Sequence, residues 1–150
     1  MATAAERARK RDPGPDWREQ LGVSLRLLTR RVVGTMLVAL AIALALALAT
    51  HDSLDPSFST AAGGPPANWV GGFGAYASDL LLMLLGPGAV ALLPVIAISG
   101  TRLMRGASAG RPGRALLIAT LGALLAGTAL ATLAPSAVAG LPAGWGGALG

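Results

Sequence analysis

Few side chains in this sequence could do chemistry. Its only histidine is His51, its only lysine is Lys10, and it has no cysteine. Thiol nucleophiles and thiolate metal sites are therefore excluded. A phosphate loop of the form G-x-x-x-x-G-K-[S/T] needs a lysine after a glycine-rich turn. Lys10 has no such surroundings, so nucleotide hydrolysis is excluded within this chain. His51 has Asp52 and Asp55 nearby, a weak metal set, and it reads better as a residue at a membrane boundary. An intramembrane serine protease would need a base facing a buried serine, and no apolar segment carries one. Asp79 stands apart because it adjoins a long apolar run, where an ionisable side chain is by default a functional candidate. It could conduct a proton or ion, or it could anchor a helix through a hydrogen bond. The residues point to no catalytic group, no metal and no cofactor.

The elements that must position Asp79 follow from where the charge lies. Only 13% of the chain is charged while 53% is apolar, and charge is concentrated in residues 1–31, 51–68 and 100–114. The runs between these blocks are roughly 19 to 20 residues long, enough for a helix to cross about 30 Å of hydrocarbon. The expected fold is all-α: a polytopic membrane protein with three transmembrane helices in this chain. The net charge of +5 is better explained by topology than by nucleic-acid binding, because every basic residue adjoins a membrane segment.

Residues 1–15 read as a disordered basic cytoplasmic tail, with almost nothing apolar to bury. Residues 16–31 read as a basic amphipathic helix: Asp16 can cap it with Glu19 three positions on, and Trp17, Leu21, Leu25 and Leu28 lie opposite Arg18 and Arg26. A plain extension of the first membrane helix suits the same residues. The first span is 32–50. Its Ala/Leu alternation has strand period, but both partners are apolar and a lone strand in lipid leaves its backbone unpaired, so a helix is expected. Ala47-Leu48-Ala49 and Thr29-Arg30-Arg31 resemble signal-peptide features. A 31-residue leader is too long for one, the apolar run exceeds the usual range of about 7–15, and further spans follow.

Residues 51–68 contain no lysine or arginine and form the expected outer loop. An amphipathic lead-in and second span occupy 69–100. At helical spacing Trp69, Phe73, Tyr76 and Leu80 share one face, and Gly71, Ala75 and Asp79 the other. Such a helix lies at the membrane surface, with Trp69 and Tyr76 at headgroup level, and then enters the bilayer. If Arg102 marks the inner interface, Asp79 sits about 34 Å up the helix, just beyond the hydrocarbon edge. Pro87 and Pro94 each remove a helix hydrogen bond, so this span should be bent or broken. Residues 101–114 form a short basic loop and 115–134 the third span. There Ala115, Ala119, Ala123, Gly127 and Ala131 recur every fourth residue, a small-residue ridge suited to close helix packing. The uncharged tail 135–150 repeats the Trp, Gly-Gly pattern of the lead-in, as if approaching a fourth crossing beyond this chain. All twelve basic residues, including Arg30, Arg31, Arg102 and Arg105 at the span ends, fall on one side of this topology. The amino terminus is then inside and the carboxyl terminus outside.

A family resemblance covers roughly residues 30–150. The run Asp52-Ser53-Leu54-Asp55-Pro56-Ser57-Phe58-Ser59-Thr60, then Asn68, Gly71, Gly74-Ala75-Tyr76, Ser78-Asp79-Leu80-Leu81, Gly86, and a Pro94 helix ending in Arg102-Leu103-Met104-Arg105-Gly106, resembles the amino-terminal membrane domain of the FtsK/SpoIIIE DNA translocases. Its most specific part is 55–79. The resemblance implies a four-helix membrane domain with both termini inside, anchoring a linker and a cytoplasmic hexameric ATPase motor that pumps chromosomal DNA at the division septum. This chain lacks the fourth helix, linker, motor and DNA-reading domain, so DNA and ATP would be partners only through regions absent from it.

The expectation is thus a non-catalytic inner-membrane anchor and oligomerisation module of an FtsK-type translocase. Its partners would be the lipid bilayer, further copies of itself (a hexamer by resemblance) and membrane proteins of the division complex. Asp55, Pro56, Phe58, Asn68, Gly74, Tyr76 and Asp79 are the candidates for interaction and assembly, and Ala119, Ala123 and Gly127 for helix packing. The alternative is a small transporter or channel subunit that uses Asp79 and the kinked second span at a polar cavity. A weaker reading is a membrane protein that binds DNA through residues 1–31.

Overall fold

The computed structural model describes residues 17–61, 63–107, 110–133, 141–144 and 146–148. The tail expected at 1–15, the Asp16 cap and much of 135–150 lie outside them. The fold is helical, with no strand among the described residues. Its elements are α1 (Trp17–Ala49), α2 (Gly71–Leu85), a 3₁₀ segment (Gly86–Ala91), α3 (Leu92–Met104) and α4 (Pro112–Leu133). Three stretches are long and apolar enough to cross a membrane: Trp17–Ala49, Gly71–Met104 and Pro112–Ala129. The chain is a multi-pass membrane protein.

The 33 residues of α1 form one helix, so the basic amphipathic segment and the first span are continuous. The Ala/Leu alternation is helical throughout, as lipid demands of a backbone that must satisfy its own hydrogen bonds. At 1.5 Å per residue α1 is about 50 Å long, against about 30 Å of hydrocarbon, so one end extends past the apolar layer.

The second span is broken. α2 stops at Gly86, whose φ of 59° and ψ of −157° leave helical geometry, a conformation that glycine adopts without a Cβ penalty. Pro87 follows at the start of the 3₁₀ segment. Pro94 has a different effect from the one its sequence position suggests. It lies in the first turn of α3, where a missing N–H costs no helix bond, so the break belongs to Gly86 and Pro87.

α1 and α3 form the most extensive helix pair, and their backbones meet at two glycines. A Cβ at Gly34 would lie 2.6 Å from both Gly100 O and Met104 N, and one at Gly100 would lie 2.8 Å from Gly34 O. This close approach is how helices associate where lipid is as apolar as leucine. It also sets Arg30 and Arg31 at the same end of the bundle as Arg102 and Arg105. α4 packs on the 3₁₀ segment, with Ala123 buried and its backbone against Gly88, where a Cβ would come within 2.6 Å of Ala123 O.

Candidate functional site: the buried polar loop

At the opposite end of the bundle, residues 50–70 fold back over the start of α2 and bury four polar side chains. Asp55, Asn68, Ser78 and Asp79 are at most 5% exposed. Polar groups are removed from water only when hydrogen-bonded, and the loop is built to supply those bonds.

Asp55 organises the loop's return. Its Oδ1 accepts the Ala67 N–H at 2.6 Å and its Oδ2 the Asn68 N–H at 2.9 Å. The carboxylate therefore pins the two residues that precede the turn into α2. Asp52 accepts the Leu54 N–H at 2.9 Å, an Asx-type bond that shapes the approach to Asp55. Thr60 Oγ1 donates to Ser53 O at 3.0 Å, and the Ser57 N–H to Thr60 O at 3.0 Å, closing a compact hairpin-like loop.

Asn68 ties this loop to α1. Its Nδ2 donates to Ala47 O at 2.9 Å and Thr50 O at 3.3 Å, carbonyls that the helix end leaves without intrahelical partners. Its Oδ1 accepts the Val70 N–H at 3.0 Å, and its carbonyl accepts the Gly71 N–H at 2.8 Å. One amide thus terminates α1 and starts α2. Thr50 Oγ1 adds a parallel link, donating to Leu46 O and accepting the Trp69 N–H at 3.2 Å. Gly74 is buried directly behind Asn68, where a Cβ would overlap the Asn68 side-chain oxygen and the Val70 side chain.

Asp79, on the third turn of α2, binds the loop tip. Its Oδ1 accepts the Ser59 hydroxyl at 2.6 Å and its Oδ2 the Ser59 N–H at 3.0 Å. Beside it Ser78 Oγ donates to Ala75 O at 3.1 Å and lies 3.1 Å from His51 Nδ1. The His51 ring thus meets Ser78 through Nδ1. Its Nε2 is buried without a hydrogen-bond partner among the described residues. Phe58 and Tyr76 meet edge to face, ring centroids 5.0 Å apart at 83°, an arrangement favoured by the ring quadrupoles. Both keep exposed surface, as do Trp69, Phe73 and Leu54.

The sequence-derived candidates thus separate into groups. Asp55, Asn68, Gly74 and Asp79 converge in one polar framework, with Pro56 half-buried beside it and Phe58 and Tyr76 forming its aromatic rim. Arg30, Arg31, Arg102 and Arg105 lie at the other end. Ala123 and Gly127 are buried within the chain; a Cβ at Gly127 would sit 3.2 Å from Gly146 O. Ala119 is half-buried. The amphipathic faces of α2 fall as the spacing predicts, with Ala75 and Asp79 buried and Phe73, Tyr76 and Leu80 exposed. The helix, however, begins at Gly71. Residues 68–70 are a turn, and the first part of the second span is the single helix Gly71–Leu85. Sequence reasoning missed Ser59, Ser78 and Thr50, whose hydroxyls complete the network, and the glycine pair at the α1–α3 crossing. Gly34 and Gly100 were visible as lone glycines in apolar runs, and Ser59 and Ser78 lie within the quoted family pattern.

Chemically, this arrangement holds the loop onto the ends of α1 and α2. Each oxygen of the two buried carboxylates accepts one hydrogen bond from an N–H or O–H donor. No group of three or more His, Cys, Asp or Glu residues among the described residues is placed to hold a metal ion. Beside the broken span lies a groove of about 260 Å³ lined by Val38, Ala41, Ile42, Ala45, Leu93, Pro94 and Ala97, aliphatic throughout.

No solved structure matches the chain. A DNA translocase FtsK of Caulobacter vibrioides (strain ATCC 19089 / CIP 103742 / CB 15) is 32% identical over 123 residues, covering 79% of this chain and 15% of the relative. The chain therefore spans a small part of that relative's length. The family described as the 4TM region of DNA translocase FtsK/SpoIIIE matches residues 26–150, which take in the polar loop, the broken span and α4. This chain belongs to that family of translocase membrane regions.

Proposed function

We propose that the chain is the non-catalytic inner-membrane anchor of an FtsK-type cell-division DNA translocase, an oligomerisation module that places a cytoplasmic motor at the septum for chromosome segregation. The observation that carries this reading is the family match across residues 26–150, on a fold in which the buried Asn68 and Asp79 side chains tie the loop to α1 and α2. The arginine-bearing end faces the cytoplasm, because basic residues are retained on that side, and the polar loop faces outward. There Leu54, Phe58, Trp69 and Phe73, all more than 60% exposed, offer division-complex membrane proteins an apolar surface on a rigid base. Oligomerisation falls to the lipid-facing side of α4, where Leu117, Ile118, Leu121 and Leu125 are exposed, since Ala123 and Gly127 are used in packing within the chain. Asp79 serves as a loop anchor and not as a conduction site, which its two bonds to Ser59 support.

A fluorescent fusion of this chain, expressed in dividing cells of its source organism, tests the placement. A mid-cell band is expected, and uniform membrane fluorescence would remove septal placement from the reading. Self-association in a membrane reporter should fall when Leu121 and Leu125 are replaced by alanine; unchanged association would remove this face.

A further inference from the structure

We propose that Gly86 and Pro87 create a backbone docking site within the second span, and that its occupant is residues 146–148 of this same chain. In an uninterrupted helix the carbonyl of residue 83 accepts the N–H of residue 87. Gly86 still makes the preceding bond, its N–H donating to Leu82 O. Residue 87 is a proline and has no N–H to give. Met83 O would thus be an unpaired acceptor in a run of leucines, and within hydrocarbon an orphaned backbone group is strongly disfavoured. The Ala148 N–H fills this vacancy, donating to Met83 O at 2.6 Å.

The neighbouring residues are fitted to the same contact. Gly147 has φ +68°, and a Cβ there would lie 2.6 Å from Gly86 N and 2.7 Å from Leu84 O. Only glycine satisfies both the backbone angle and the space. Gly146 is buried and faces Gly127 of α4, whose added Cβ would meet Gly146 O at 3.2 Å. The segment is therefore held between the broken end of α2 and the inner face of α4. It supplies the donor that proline withholds and ties the chain following the third span to the second. The site recognises a backbone N–H carried by a glycine-containing turn, and it requires no side chain from its occupant. This docking does not depend on the anchor reading.

The test is amide hydrogen exchange of the full chain in lipid nanodiscs, read at Ala148. In the unaltered protein that amide should exchange at least about tenfold more slowly than an open amide. In Gly86→Ala/Pro87→Ala the helix can continue and give Met83 O its own donor, so protection at Ala148 should be lost while that at α1 is retained. Gly147→Val should also remove it. Gly144→Ala is the control, because Gly144 has φ +74° but nothing within 4 Å; it strains the backbone equally and should leave protection in place. An unprotected Ala148 amide in the unaltered chain overturns the proposal, and that measurement stands even if the double variant does not fold. Protection that persists in a folded double variant overturns it as well.

Discussion

Replacing Asp55 by alanine isolates the bond pair that shapes the polar loop. Two donors lose their acceptor, and their surroundings differ. Ala67 is exposed, so its N–H can turn to water, and its loss is limited to about 0.5–1.5 kcal/mol of net hydrogen-bond stabilisation. The Asn68 N–H is buried with a residue 3% exposed, so it remains unsatisfied and contributes a further penalty of about 1–3 kcal/mol. Together these make roughly 1.5–4.5 kcal/mol, a factor of about 12 to 1,600 in the equilibrium for loop opening. Asp55→Asn retains one acceptor oxygen, which the buried Asn68 N–H should claim, so it should cost about half as much. Hydrogen exchange of residues 51–70 in nanodiscs reads the opening directly, because the segment can open while α1, α3 and α4 remain folded. The expected order of protection at Asn68 is wild type, then Asp55→Asn, then Asp55→Ala. Equal protection in all three, or an Asn variant worse than the Ala variant, would refute the assignment of Asp55 as the acceptor that holds the loop.

Two further predictions follow from the packing. Gly34→Ala and Gly100→Ala should each destabilise the bundle by about 1–3 kcal/mol through overpacking. The double variant should cost less than their sum, because helices already forced apart accept the second methyl freely; strictly additive denaturation energies would show that the two glycines do not share one crossing. Asp79→Ala should leave insertion unchanged and release the loop tip, giving faster exchange at Ser59 together with disturbed assembly or septal placement; wild-type behaviour in all three would remove Asp79 from the functional residues.

Membrane architecture was legible in the sequence because lipid imposes strong and local constraints. Charge-free runs of helix-spanning length, arginines clustered at span ends and the Gly86-Pro87 pair each act through nearest neighbours, so they can be read without knowing the fold. Asp55, Asn68 and Asp79 could be singled out for the same reason, as polar residues close to apolar segments or within a recognisable family pattern. What each one binds could not be read. Asp55 reaches 13 residues forward to Asn68, Asn68 reaches 21 back to Ala47, and Asp79 reaches 20 back to Ser59. Those pairings exist only once α1 and α2 stand side by side. The amphipathic extension of α1 illustrates the converse: 16–31 has its own periodicity, but nothing between it and 32–50 breaks the hydrogen-bond ladder, so one helix results. The small-residue ridge of α4 was visible as a stripe, whereas its partners, Gly88 and Gly146, depend on how α4 folds back.

The two ends of this bundle solve the same problem by different means. Helix ends expose carbonyls and amides that water must solvate or protein must pair. At the arginine-bearing end α1 extends past the apolar layer, and its close contact with α3 is a glycine crossing that leaves both helix backbones intact. At the loop end the chain must stop α1, cross over and begin α2 within about twenty residues, so every backbone group released there needs a partner. Asn68 partners four of them, Ala47 O, Thr50 O and the Val70 and Gly71 N–H groups, with Asp55 fixing its backbone and Gly74 leaving room for its side chain. Asp79 then closes the loop tip onto the helix that Asn68 initiates. The polar residues are thus arranged in a dependency: losing Asp79 frees one tip, losing Asp55 loosens the return, and losing Asn68 removes the junction itself. Such a hierarchy keeps the exposed aromatic rim of Phe58 and Tyr76 in one place.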